Sequence, residues 1–234
     1  MPKPQPSPAD VYQPDCSVAP AGLPADYDEV YTAAAAGVAA ALGREAAVEV
    51  DFPPLASANA RGDGSAKSEQ MVHAANAAFV RRLRGSLVGS GRTVAVVGCT
   101  GGALSALGSG AVSLRAAESE AAGKDVAVCV APFSEEQWDA AVALGTGATT
   151  VVVVNGLLSN GRLPHAYYYK PLSAFSVQTG GVVRRYPGAY ECYDIRSPQT
   201  PLELEVVLIT QGRRALPDTK DAQMALQAAF GRKT

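Results

Sequence analysis

Histidine is scarce in this chain, with two in 234 residues, and no two of its four cysteines stand in C-x-x-C spacing. A zinc centre needs clustered nitrogen and sulfur ligands, so this supply argues against one. Cys16, Cys99, Cys129 and Cys192 read instead as free thiols of a reducing compartment. Cys99 and Cys129 sit at or in apolar runs, where cysteine acts as a small hydrophobe. An excess of one charge is also lacking: the net charge is −2, whereas a general nucleic-acid binder carries a basic surplus. Long apolar runs are missing, and the run 149–155 falls far short of the roughly 20 residues of a membrane-spanning helix. The start has neither a signal-type apolar core nor an Arg/Ser-rich amphipathic helix. The expectation is a cytoplasmic protein, or a mature form separated from its targeting peptide. The absence of G-x-x-x-x-G-K-[ST] removes the P-loop route to phosphoryl transfer, and the absence of G-x-S-x-G removes the serine-hydrolase elbow.

A hydrophobic fraction of 47% suits a globular domain, and the order of elements suggests which kind. Residues 1–24 are proline-rich and acidic and read as an extended arm ahead of one domain over 25–234. A helix is predicted over 26–42, with Asp26 as its cap. A strand at 47–52 is followed by a polar loop containing Arg61-Gly62-Asp63, and then by a helix over 66–84 burying Met71, Val72, Ala75, Phe79 and Leu83. Valine-rich strands follow at 94–97, 126–130 and 149–154, separated by a glycine turn with a weak helix and by a helix opened by the capping box Ser134-Glu135-Glu136-Gln137. The rhythm then changes. Strand-like segments at 166–170, 181–186, 189–194 and 202–210 have turns between them and no helix, and a last helix near 218–230 presents Met224, Leu226 and Phe230. The predicted fold is α/β, a mostly parallel, Rossmann-like three-layer sheet with a C-terminal antiparallel extension.

Two sets of residues are candidates for function. In such a sheet, the loops after the parallel strands gather at one edge, where ligands bind. This nominates Gly98, Gly101, Gly102, Ser134 and Asn155 for binding a nucleotide or other small molecule, or for an enzyme that acts on one. The glycine turn departs from G-x-G-x-x-G, and no acid follows the next strand to hold a ribose hydroxyl. The competing reading is a tight turn, a helix cap and a chain reversal. The second set lies in 166–195, which holds six of the nine tyrosines. Tyr167, Tyr168, Tyr169, Lys170, Arg184, Arg185, Tyr186 and Tyr190 are either half-buried sheet residues or anchors for a protein partner. Tyr167 and Lys170 are three apart on a strand, which argues against the Tyr-x-x-x-Lys pair of short-chain reductases. A Cys192–His165 dyad is possible by residue type alone.

The layout resembles a plastid family defined by a domain of unknown function, which includes the low-photosystem-II-accumulation assembly factors. The resemblance covers about 23–209. It is carried by the leading helix, by V-E-V-D-F-P-P-L (48–55), S-E-Q-M-V (68–72), the valine strand ending in Asn155, YYYKPLSAF and VVRRYPGAYECYD. It implies a protein of the chloroplast stroma or the stromal face of the thylakoid that binds photosystem subunits or assembly factors without catalysing a reaction. Membrane association would be peripheral, and no cofactor and no catalytic residues are implied. Some plastid adenylate kinases carry a similar domain as an appendage, which implies an auxiliary module.

Overall fold

The computed structural model describes residues 22–53, 66–145, 148–156, 162–174, 177–204 and 219–230. The tripeptide 61–63 and most of the arm lie outside them. The foot of the arm does not: Gly22 is buried and its carbonyl accepts a hydrogen bond from the Arg185 guanidinium.

In chain order the elements are α1 (Tyr27–Ala41), β1 (Ala47–Asp51), α2 (Ala66–Gly89), β2 (Val94–Gly98), α3 (Gly101–Leu107), β3 (Val112–Ser113) and α4 (Ala117–Ala121). They continue with β4 (Val126–Val130), α5 (Glu135–Val142), β5 (Thr150–Val154), β6 (His165–Ala174), β7 (Val177–Arg185), β8 (Tyr190–Asp194), β9 (Ser197–Leu204) and α6 (Thr219–Phe230). Asp26 caps α1 as expected, its carboxylate accepting from the Glu29 amide at 2.9 Å.

The strands form one nine-stranded sheet in the order β3-β2-β4-β5-β1-β6-β7-β8-β9. From β3 to β6 every neighbouring pair is parallel, and from β6 to β9 every pair is antiparallel. The expected mixture is therefore present, with two differences. The segment after Ala166 does not begin the antiparallel part; β6 joins β1 in parallel, and the reversal starts at β7. The order also places β1 beside β5, not at the centre of a 3-2-1-4-5-6 arrangement, so the dinucleotide-fold order is not followed.

Strand alternation divides the core between the two faces. Val48, Val50, Val96, Val128 and Val152 pack with α1, α2 and Ala103 of α3. Ala95, Val97, Cys129, Val151 and Val153 pack with α4 and with Trp138, Ala141 and Leu144. On that second side the antiparallel strands are covered by Ala222 and Leu226 of α6. Met224 is exposed, as is Met71. The buried stripe of α2 keeps Phe79 and Leu83 and adds Asn76, Ala77, Val80 and Leu87, the last beyond the predicted end of the helix, which extends to Gly89.

One glycine sets how closely α1 approaches. A Cβ at Gly37 would stand 2.1 Å from the Ala166 carbonyl oxygen, so α1 lies directly on the β6 backbone. Gly37→Ala is expected to destabilise the fold by about 1–3 kcal/mol through overpacking, despite alanine's better helix propensity. Urea unfolding checks this, and an unchanged or raised midpoint would show that α1 does not sit there.

Candidate functional site

The chain leaves β2 through α3 toward β3, at one edge of the sheet. It leaves β4 through α5 in the opposite direction, toward β5. Neighbouring strands whose connections diverge leave a crevice at their carboxyl ends. A cleft of about 490 Å³ opens there. One wall is the β2–α3 turn, with Gly98, Cys99, Thr100 and Gly101. The opposite wall is the first turn of α5, with Ser134, Glu136 and Gln137. The segment after β3 closes the remaining side with Ser113, Leu114 and Arg115.

Local hydrogen bonds fix both walls. Thr100 caps α3, its hydroxyl oxygen accepting from the Ala103 amide at 3.1 Å. Ser134 caps α5 as read from the sequence, accepting from the Gln137 amide at 3.2 Å, while the Gln137 side-chain carbonyl oxygen reaches one residue past the cap and accepts from the Phe133 amide at 2.8 Å. Under the cleft floor, Cys99 and burial hold the Cys129 thiol well above its usual range, so it is a packing group and not a thiolate.

Of the five residues nominated for a small molecule, Gly98, Gly101 and Ser134 meet at this cleft. Gly98 has a structural duty as well, because a Cβ there would come within 2.5 Å of the Leu104 Cα. Gly101 faces open space, where an added Cβ would meet nothing within 4 Å. Gly102 and Asn155 are elsewhere. Gly102 makes room for His73, whose Nε2 would lie 2.5 Å from a Cβ. Asn155, at φ 46, acts as a latch: its Oδ1 accepts from the Phe52 amide at 2.9 Å and its Nδ2 donates to Asn76 at 2.8 Å. Arg115, Ser113 and Glu136 were missed by the sequence reading. The first two follow or belong to a two-residue strand that leaves no periodic signal, and Glu136 reads as an ordinary first-turn acid.

The residues nominated as partner anchors mostly lie inside the fold. Tyr167, Tyr168, Arg184 and Tyr190 are buried, Tyr169, Arg185 and Tyr186 are half-buried, and only Lys170 is exposed. Strand alternation explains this, because β6 and β7 are covered by helices on both faces. The half-buried members spend their polar ends internally: the Tyr186 hydroxyl donates to Glu45 at 2.9 Å, and the Tyr169 hydroxyl accepts from Gln178 at 3.0 Å. At the β1–β6 seam, His165 Nε2 lies 3.6 Å from the Glu49 carboxylate and His165 Nδ1 lies 2.6 Å from the Tyr190 hydroxyl. Arg184 donates to the His165 carbonyl at 2.7 Å and stacks over the Tyr190 ring at 5.2 Å. Both His165 nitrogens are thus engaged away from Cys192, whose thiol lies 3.7 Å from the Ala222 carbonyl and is pushed up to about 12 by burial and by Asp194. The Cys192–His165 dyad is not formed.

Among the described residues, no group of three or more His, Cys, Asp and Glu side chains could hold a metal ion. No helix among them is long and apolar enough to cross a membrane. Comparison with family models, with curated proteins and with solved structures found no match.

Asn155→Ala should cost about 1–3 kcal/mol in urea unfolding, since it strips partners from the Phe52 amide and from Asn76; a loss of ligand affinity at full stability would return Asn155 to a binding role. Burial holds Tyr167 and Tyr193 above the ordinary phenol range and raises Tyr27 to about 12. The unfolded chain therefore releases these protons first. The stability they contribute is present below about pH 10 and is lost as pH rises above it. Alkaline titration followed by tyrosinate absorbance and circular dichroism should show these phenols ionising together with unfolding. Ionisation of all nine tyrosines in a folded protein would contradict the burial.

Proposed function

We propose that this chain is a non-enzymatic auxiliary or assembly factor of the plastid, at the stroma or the stromal face of the thylakoid, binding a photosystem subunit or assembly intermediate. The observation that carries this reading is where the resemblance-bearing segments lie. The leading helix, V-E-V-D-F, YYYK and VVRRYPGAYECYD are distant in sequence and adjacent in space as α1, β1, β6, β7 and β8. Their polar side chains mainly join these elements: Glu49 to His165, Tyr186 to Glu45, and Arg184 to the His165 carbonyl. What these segments have in common is then a scaffold and not a reaction centre. Partner contact falls to exposed groups such as Lys170 and Ile195.

A second reading is favoured by one specific observation, the cleft between the ends of β2 and β4. Counted from β2, the strands β3-β2-β4-β5 run in the order 2-1-3-4. That order supports a Rossmann-like, doubly wound half whose ligand site is the switch point. On this reading the chain binds a nucleotide or another small molecule there.

The test is affinity purification of the tagged protein from gently solubilised thylakoids and stroma, with mass spectrometry of what co-purifies. Near-stoichiometric photosystem subunits are the expected result. Their consistent absence would remove the assembly reading. A lone protein whose melting temperature rises with a small molecule would put the cleft in its place.

A further inference from the structure

We propose that the cleft between β2 and β4 takes a small phosphorylated polyol, with one phosphate held by Arg115 and a hydroxyl-bearing body held by Glu136. This rests on the second reading above, that the cleft is a ligand site, and adds the ligand's class and the residues that choose it.

Charge sets the class of ligand. Arg115 is the one cation and Glu136 the one anion among the cleft-lining residues. The nearby ion pairs do not involve them: Arg162 holds Glu135 and Asp139 on the outer side of α5. A single guanidinium matches a single phosphate through paired N–H donors. A carboxylate in the same cleft repels a second phosphate and accepts strongly from hydroxyls. This combination disfavours a dinucleotide or a polyphosphate and suits a molecule with one anionic end and a neutral, hydroxylated remainder.

Size and wall chemistry agree. The volume of about 490 Å³ lies in the range of small-molecule sites. The hydroxyl oxygens of Thr100 and Ser134 each accept from a backbone amide at the start of a helix, which leaves their O–H groups available as donors at the cleft lining. Ser113 adds a third hydroxyl beside Arg115. At Gly101 the missing side chain leaves open space along the β2–α3 wall. The sequence offers no acid at the end of β4 for a sugar hydroxyl; the fold supplies one from the first turn of α5.

The test is calorimetric titration of the full chain with ribose 5-phosphate and with ribose, for the unchanged protein and for Arg115→Ala, Glu136→Gln and Gly101→Leu. Arg115 and Glu136 are exposed, so those two variants should fold normally. The expected result is saturable binding of ribose 5-phosphate, with affinity lower by roughly 10- to 100-fold for ribose and for Arg115→Ala. Glu136→Gln should weaken both ligands, and Gly101→Leu should abolish binding by extending a side chain from the β2–α3 wall into the cleft. Equal affinity for ribose and ribose 5-phosphate, or an Arg115→Ala variant that binds normally, would overturn the phosphate assignment. A lack of ribose 5-phosphate binding would overturn it too. In that case a thermal-shift screen of other nucleotides, dinucleotides and tetrapyrroles separates the two failures. A hit blocked by Gly101→Leu keeps the cleft as a site for another class, and a flat screen removes the cleft reading as well.

Discussion

The fold depends on the seam between β1 and β6. There β6 joins the five parallel strands that end at β1 as the sixth, and on its far side the three antiparallel strands begin. A mixed sheet can join such halves through backbone ladders alone, but here a buried polar group also crosses the line. Glu49 of β1 faces His165 of β6, His165 meets Tyr190 of β8, and Arg184 of β7 donates to the His165 carbonyl while covering the Tyr190 ring. Glu49, His165 and Arg184 are fully buried. A buried carboxylate or guanidinium is tolerated only when its partners are in place. The arrangement therefore specifies how the halves meet more than it adds to stability.

Other contacts reinforce the same line. α1 lies flat on β6 because Gly37 has no side chain. Asn155 ties the end of β5 to the end of β1 and to α2. Tyr31, Phe52 and Phe79 pack ring against ring between α1, β1 and α2, with centroids 4.9–5.8 Å apart. The tyrosine-rich segment, the most conspicuous feature of the sequence, is largely the material of this joint.

Much of this was legible in the sequence where the signal is local. The valine runs gave β4 and β5, Ser134 with Gln137 gave the start of α5, and Asp26 gave the start of α1. The turns after Val177–Arg185 gave an antiparallel succession. What escaped is non-local. The residues of β6 identify a strand but not the direction of its neighbour, so its parallel pairing with β1 was not visible. Tyr168, Arg184 and Tyr190 read equally as half-buried sheet residues and as partner anchors, because nothing in the sequence shows that helices cover both faces of β6 and β7. Gly98 and Gly102 read as a ligand turn or as a plain tight turn, and each admits a close neighbour, Leu104 and His73, which the sequence could not name. Of the nominated cleft residues, Gly98, Gly101 and Ser134 converge. The two charged lining residues, Arg115 and Glu136, come from a connection with no periodicity and from a helix turn that looked ordinary.

The central claim is that the parallel and antiparallel halves form one cooperative unit joined at the β1–β6 seam. Native-state hydrogen exchange tests it directly. The account predicts that the slowest amides run without a break from β4 and β5 through β1 into β6 and β7, and that they open together at the global unfolding free energy. Exchange of β7 and β8 in a separate, faster cooperative step, with β1, β4 and β5 still protected, would contradict it.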